Sequence, residues 1–153
     1  MKYTKQPKDS RSPLVDVQFG VVPFVFDRNE LKVVLITSRS NKKKWLFPKG
    51  HDEPHLSHKE VARTEAYEEA GLLGIVGAKR HAKSFSRLTG GRQRQLQFYP
   101  MEVTMLLRSW PEQAQRQRCI VSIPKALQLV QCRHLKQILL RMVNQLHTQE
   151  QAS

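Results

Sequence analysis

The segment FPKGHDEPHLSHKEVARTEAYEEAGLLG, Phe47 to Gly74, restricts the fold of this chain more than any other stretch. It has to become a helix with defined ends. Ser57 and Glu60 match a capping box, in which hydroxyl and carboxylate each satisfy a free backbone amide. The helix should run to about Ala70, with Gly71 as its C-terminal stop. Inside it Glu65, Glu68 and Glu69 fall at i, i+3 and i+4, within roughly a 100° arc of the helix surface. Glu60 points away, consistent with capping. Three carboxylates on one face repel each other unless something neutralises them. Lysines of a surface network would serve, and so would hard divalent cations, which take carboxylate and phosphate oxygens as ligands. The spacing alone leaves both open.

The crowding matters because acid is scarce here. The chain carries 26 Lys and Arg against 13 Asp and Glu, a formal net charge of +13. Six of the 13 acidic residues lie in this one segment. A sequence pI near 10.2 points to an anionic partner, since a positive field concentrates anions. Nucleic acid, phosphorylated metabolites and anionic lipid surfaces all fit that field. At 153 residues, 39% hydrophobic and 25% charged, the composition is that of one globular domain. No apolar run of about 18 residues is present, so no membrane-spanning helix is expected. The opening MKYTKQPKDSRSP lacks the apolar core of a secretory signal, and the expectation is a cytoplasmic protein. Residues 1–13 read as a loose basic arm ahead of a single domain over 14–148. Cys119 and Cys132 have no metal-ligand spacing and are expected as reduced thiols.

Along the chain, Val15–Phe26 and Leu31–Arg39 read as strands joined by the turn Asp27-Arg28-Asn29-Glu30, a hairpin. A basic loop, Ser40–Lys44, leads to LFPKG, a short extended segment stopped by Pro48 and Gly50. After the helix come a strand around Ala78–Phe85, a basic turn RLTGGRQR, and a longer strand LQFYPMEVTMLL interrupted by Pro100. SWPEQAQRQR is a polar loop and CIVSI a short strand. Pro124 begins a helical stretch, and HLKQILLRMVNQLH is an amphipathic closing helix. Mixed strands with interleaved helices predict an α/β domain with helices packed on a sheet.

The flanking glycines narrow the reading of the helix. Gly50 lies fifteen residues before Glu65, and Glu65-Ala66-Tyr67-Glu68-Glu69-Ala70-Gly71-Leu72 follows without a gap. This layout resembles the Nudix hydrolase signature: a glycine, five residues, Glu, seven residues, then Arg-Glu-aliphatic-x-Glu-Glu-x-Gly-aliphatic. Two positions depart from it. Leu56 replaces the isolated loop glutamate, and Thr64 replaces the arginine that in the family helps fix the neighbouring glutamate. Arg63 stands one place early and would point about 100° away. Asp52 or Glu53 are the candidates to supply the missing acid.

The resemblance implies a Nudix fold, a mixed β-sheet sandwiched between α-helices. It also implies hydrolysis of a diphosphate linkage by in-line attack of water, with Mg²⁺, or Mn²⁺, held by Glu65, Glu68 and Glu69 beside the backbone of Gly50. Glu65 and Glu69 are the candidate catalytic carboxylates. Gly50 would let its loop approach the metal where a side chain would interfere. Arg39, Lys49, Arg92 and Arg94 are the candidates for phosphate contact, arginine as a fork and lysine as a point charge. For Lys42–Lys44 a solvated run is the expectation.

The lead-in to the signature and the basic turn resemble the branch that includes diphosphoinositol and diadenosine polyphosphate phosphohydrolases. A small anionic phosphorylated substrate is therefore the expected partner. A nucleoside triphosphate or the 5′ end of RNA is the alternative, with Trp45, Phe85, Tyr99 and Trp110 as candidate base platforms against core packing. A third reading keeps the domain as a non-catalytic anion sensor or RNA-binding module, in which Leu56 and Thr64 mark a retired site. His51, His55 and His58 have ligand-like spacing, but Pro54 breaks their common face, and exposed polar histidines are expected.

Overall fold

The computed structural model describes residues 15–77, 82–87 and 93–152. The expected basic arm lies outside them. Two long strands organise the chain: β1 (Val15–Asp27) and β7 (Gln93–Leu106), paired parallel from Val15 opposite Gln93 to Phe24 opposite Glu102. Each is long enough to take two partners on its other edge. Near its start β1 pairs antiparallel with β4 (Lys49–His51), and near its end with β2 (Glu30–Thr37). β7 pairs first with β6 (Ala82–Arg87) and then with β5 (Leu72–Val76). β3 (Trp45–Leu46) and β8 (Arg118–Ser122) complete an eight-stranded mixed sheet among the described residues.

The hairpin between β1 and β2 forms as expected. Arg28 and Asn29 both take positive φ, 53° and 69°, the two-residue geometry whose twist matches the flanking strands. In β2, Val33, Val34, Leu35 and Ile36 are consecutive and fully buried. Adjacent residues point to opposite faces, so both faces of the sheet are covered. Burying each such side chain contributes about 1.5–3 kcal/mol. The helices that cover the sheet are α1 (His58–Ala70), α2 (Ile123–Leu129) and α3 (Arg133–Ala152). α2 starts at Ile123, one residue before the expected Pro124, with the Ser122 hydroxyl accepting from the Lys125 amide.

Three expectations need correction. A strand not expected from the sequence, β5, follows α1 directly after the Gly71 stop. Gly74 sits at a register shift, where a Cβ would strike the Glu102 carbonyl oxygen. The strand expected around Ala78–Phe85 is β6, starting at Ala82; residues 78–81 lie outside the described set. Finally, Pro100 does not interrupt β7. Its carbonyl accepts from the Gly77 amide, and it falls between the end of the β6 ladder at Phe98 and the start of the β5 ladder at Met101. A strand residue's N–H and C=O face the same edge, so the missing amide of Pro100 falls where no described strand residue needs it. No described helix is long and apolar enough to cross a membrane.

Candidate active site

The site is built around α1. Its capping box forms with both bonds, Glu60 amide to Ser57 Oγ at 3.1 Å and Ser57 amide to Glu60 Oε1 at 2.8 Å. Gly71 closes the helix at φ 66°, and a Cβ there would enter the Trp110 ring. Ala62, Ala66 and Ala70 recur every four residues and are fully buried. These small side chains let the helix lie close on the sheet. That brings the next face of the helix, Glu65 and Glu69, against β4.

Gly50 is the point of closest approach. A Cβ built there would overlap the Glu65 carboxylate, so the glycine is required by the position of that side chain. Glu65 and Glu69 are hydrogen-bonded to each other through their carboxyl groups. Burial is the main cause that pushes Glu69 up from an ordinary 4.5 to about 8; the Glu65 hydrogen bond adds to it, and Arg116 opposes it. Glu65 is also raised, first by burial and then by Glu68, with the Glu69 hydrogen bond acting the other way. Two carboxylates this close resist ionising together, and Arg116 offsets that only in part, so Glu69 keeps its proton at neutral pH. Glu68 is half-buried and acts on Glu65 through space, so the convergence on this face is of two carboxylates with the third offset. Among the described residues no three His, Cys, Asp or Glu side chains form a ready-made metal cluster.

Both oxygens of Glu69 are engaged. The Lys49 backbone amide donates to Oε1 at 3.2 Å, and Arg116 Nη2 stands 3.5 Å from Oε2. Its main-chain carbonyl accepts from Trp110 Nε1 at 3.1 Å. Glu69 opens onto a cavity of about 290 Å³ whose wall includes Arg39, Lys49 and Arg116, with Ser38 and Ser40. Two of the four expected phosphate-contact residues, Arg39 and Lys49, are therefore brought to the same cavity as Glu69. Burial, then repulsion from Arg94, holds the Lys49 ammonium below its usual value. Arg94 itself does not line the cavity; it lies beside Asp16, with Nε 3.7 Å from Oδ2. Arg92 lies outside the described residues.

Arg116 is the residue the sequence reading missed. It stood in a stretch read as polar loop, and the only signal was the high arginine content there. The carboxylate outside α1 that raises Glu65 is Glu112, from the same loop, while the proposed substitutes Asp52 and Glu53 are exposed. The three histidines take separate roles or exposure. His51 Nε2 pairs with Asp16 Oδ1 at 3.0 Å, His58 stacks on Phe19 with ring centroids 3.9 Å apart, and His55 is exposed. Among the candidate base platforms, Tyr99 is buried in the core and Trp45 packs against it. Trp110 lies under the Arg118 guanidinium at 4.1 Å; the Phe85 side chain lies outside the described set.

Comparison with known proteins agrees with this geometry. No protein-family model matches the chain. It is 34% identical over 114 residues to Nudix hydrolase 17, mitochondrial, of Arabidopsis thaliana, covering 70% of this chain and 62% of the relative. It is 30% identical over 111 residues to human diphosphoinositol polyphosphate phosphohydrolase 3-beta, covering 67% of this chain and 62% of the relative. The chain thus spans 62% of the length of each of these curated relatives. In fold it superposes on a C. elegans Ap4A hydrolase with a TM-score of 0.76 at 15% identity, over 87% of this chain and 98% of that one. The chain belongs to the Nudix hydrolase family and has the Nudix fold.

Proposed function

We propose that this protein is a Mg²⁺-dependent pyrophosphohydrolase, with Mn²⁺ as a substitute, that cleaves a diphosphate linkage in a small polyanionic substrate. Diphosphoinositol or diadenosine polyphosphates are the favoured class. The observation that carries this reading is Glu69, one turn from Glu65 at Gly50, facing a cavity walled by Arg39 and Lys49. A buried carboxylate pair is costly in a chain with so few acids unless it holds a cation. The donor set fits a hard divalent ion: removing the Glu69 proton leaves adjacent carboxylate oxygens, the ligands such ions prefer. Glu65 and Glu69 would hold it, with Glu68 completing the acidic face. When bound, such an ion neutralises charge on phosphate oxygens and lowers the pKa of water.

The chain's own groups do the rest. Arg39 and Lys49 bind and orient phosphate oxygens across the cavity from the carboxylates. A carboxylate of the Glu65–Glu69 pair accepts the proton of the attacking water. The glycine at 50 keeps the wall next to Glu65 free of side chain.

The test is turnover of a panel: diphosphoinositol polyphosphates, diadenosine polyphosphates, nucleoside triphosphates and 5′-triphosphate RNA, with Mg²⁺ and with Mn²⁺. Turnover of either of the first two, lost in Glu69→Gln, supports the reading. Preferential turnover of the last two redirects it to nucleotide or RNA-end hydrolysis. RNA binding with no turnover of any panel member would replace it with the binding module.

A further inference from the structure

Glu69 lies on a helix that offers it no cation. The one arginine of α1, Arg63, is exposed on another face, and position 64 holds threonine. The cation that reaches Glu69 comes from the loop before β8. Arg116 is fixed there by two contacts besides Glu69: Nε donates to Glu112 Oε1 at 2.8 Å, and Nη1 donates to the Thr37 carbonyl at 2.9 Å. Its side chain is only 8% exposed. The backbone under it is pinned as well, since the Thr37 amide donates to the Gln117 carbonyl and the Gln117 amide to Thr37 Oγ1. Glu112 is tied back to α1 by its own amide, which donates to the Glu68 carbonyl at 3.0 Å. A guanidinium held at three points on a pinned backbone has one orientation, and the third point is Oε2 of Glu69.

We infer that Arg116 is a positioning residue that fixes the Glu69 carboxylate from outside the helix. The Lys49 amide holds the other oxygen, so Glu69 stands between a main-chain donor and a guanidinium nitrogen 3.5 Å away. Groups that orient a ligating carboxylate set how well it binds and works without touching the substrate. This inference rests on the metal-dependent reading of the same site.

The experiment compares wild type, Arg116→Gln, Arg116→Lys and Glu112→Gln. Each is assayed for Mn²⁺ binding by the EPR signal of the free ion, for melting temperature, and for kcat and KM on the substrate found with the panel. Arg116→Gln is expected to weaken Mn²⁺ binding by about 10–100-fold and to lower kcat with KM within about twofold. Arg116→Lys, which keeps the charge but not the three-point hold, should recover only part of the affinity. Glu112→Gln leaves Glu69 untouched and loosens the far end of the grip, so it should show a smaller loss in the same direction. A rise in KM with kcat intact would place Arg116 on the substrate phosphate and overturn the inference. So would Mn²⁺ affinity that is unchanged or tighter in folded Arg116→Gln. Wild-type protein that binds no Mn²⁺ would sink the metal reading and this inference together. Wild-type binding matched by Arg116→Gln would sink the inference alone.

Discussion

The cavity has two charged walls, and they are made differently. The acidic wall is local: Glu69 lines the cavity, Glu65 stands one helical turn earlier on α1, and the capping box and Gly71 fix the ends of that helix. The basic wall is assembled from three segments, Arg39 after β2, Lys49 in β4 and Arg116 before β8. The acidic wall is buried enough to hold a proton at neutral pH, whereas Arg39 is exposed. A wall made by one helix can be strained electrostatically, because its geometry does not depend on the charges. A wall made of loops holds only while the fold brings them together.

The largest expected effect separates those walls outright. Glu69→Gln should reduce kcat/KM by about 100-fold or more, since it removes an anionic oxygen at near-constant shape. It should not destabilise the metal-free protein at pH 8, where the wild-type carboxyl is being forced to ionise in a buried site. A metal-free Tm that falls sharply in that variant would mean the pair is structural.

Next comes Gly50→Ala. Its Cβ meets the Glu65 carboxylate, and overpacking of this kind costs about 1–3 kcal/mol. At this chain length that is about 2–4 °C of Tm per kcal/mol, measured by thermal melts, together with a loss of divalent-ion binding. Normal activity in Gly50→Ala would show that Glu65 can stand elsewhere and still work.

The proton held by the acidic wall predicts a pH dependence. Glu69 binds its proton more tightly folded than unfolded, about 8 against 4.5, so its contribution to stability is fully present below pH 4.5. It is lost as pH rises through about 8. Metal-free Tm should therefore carry a component that declines across that window, absent in Glu69→Gln. The rise in Tm on adding Mg²⁺ should be greatest at its upper end, where protons no longer compete. A Mg²⁺ effect independent of pH would place the ion away from this pair.

The smallest structural effect is expected on the basic wall. Arg39→Ala should raise KM about tenfold, the scale of one charge-assisted phosphate contact, with kcat nearly unchanged. Its Tm should stay within about 1 °C of wild type, because the side chain is exposed. An unchanged KM would remove Arg39 from the cleft.

The asymmetry between the walls also governs what was legible in the residues. The Ser57–Glu60 cap, the Gly71 stop and the inward face of Glu65 and Glu69 could all be read, because each depends on residues within a few positions. β5 was not legible beside the Gly71 stop, because its pairing with β7 is a contact between distant residues. Pro100 read as an interruption for the same reason: only the ladders of β5 and β6 show that its missing amide falls in a gap. Arg116 and Glu112 were missed because nothing local distinguishes them from the other polar residues of their loop.

The capped helix, its acidic face and the close-approach glycine beside it follow from the order of residues alone. Helix periodicity and backbone sterics act over a few residues and need no partner. Which cations meet that face follows from the folded arrangement. Arg39 and Lys49 are joined there by Arg116, while Arg94 is drawn aside to Asp16. Strand pairing sets those distances, and it depends on residues far apart in the chain.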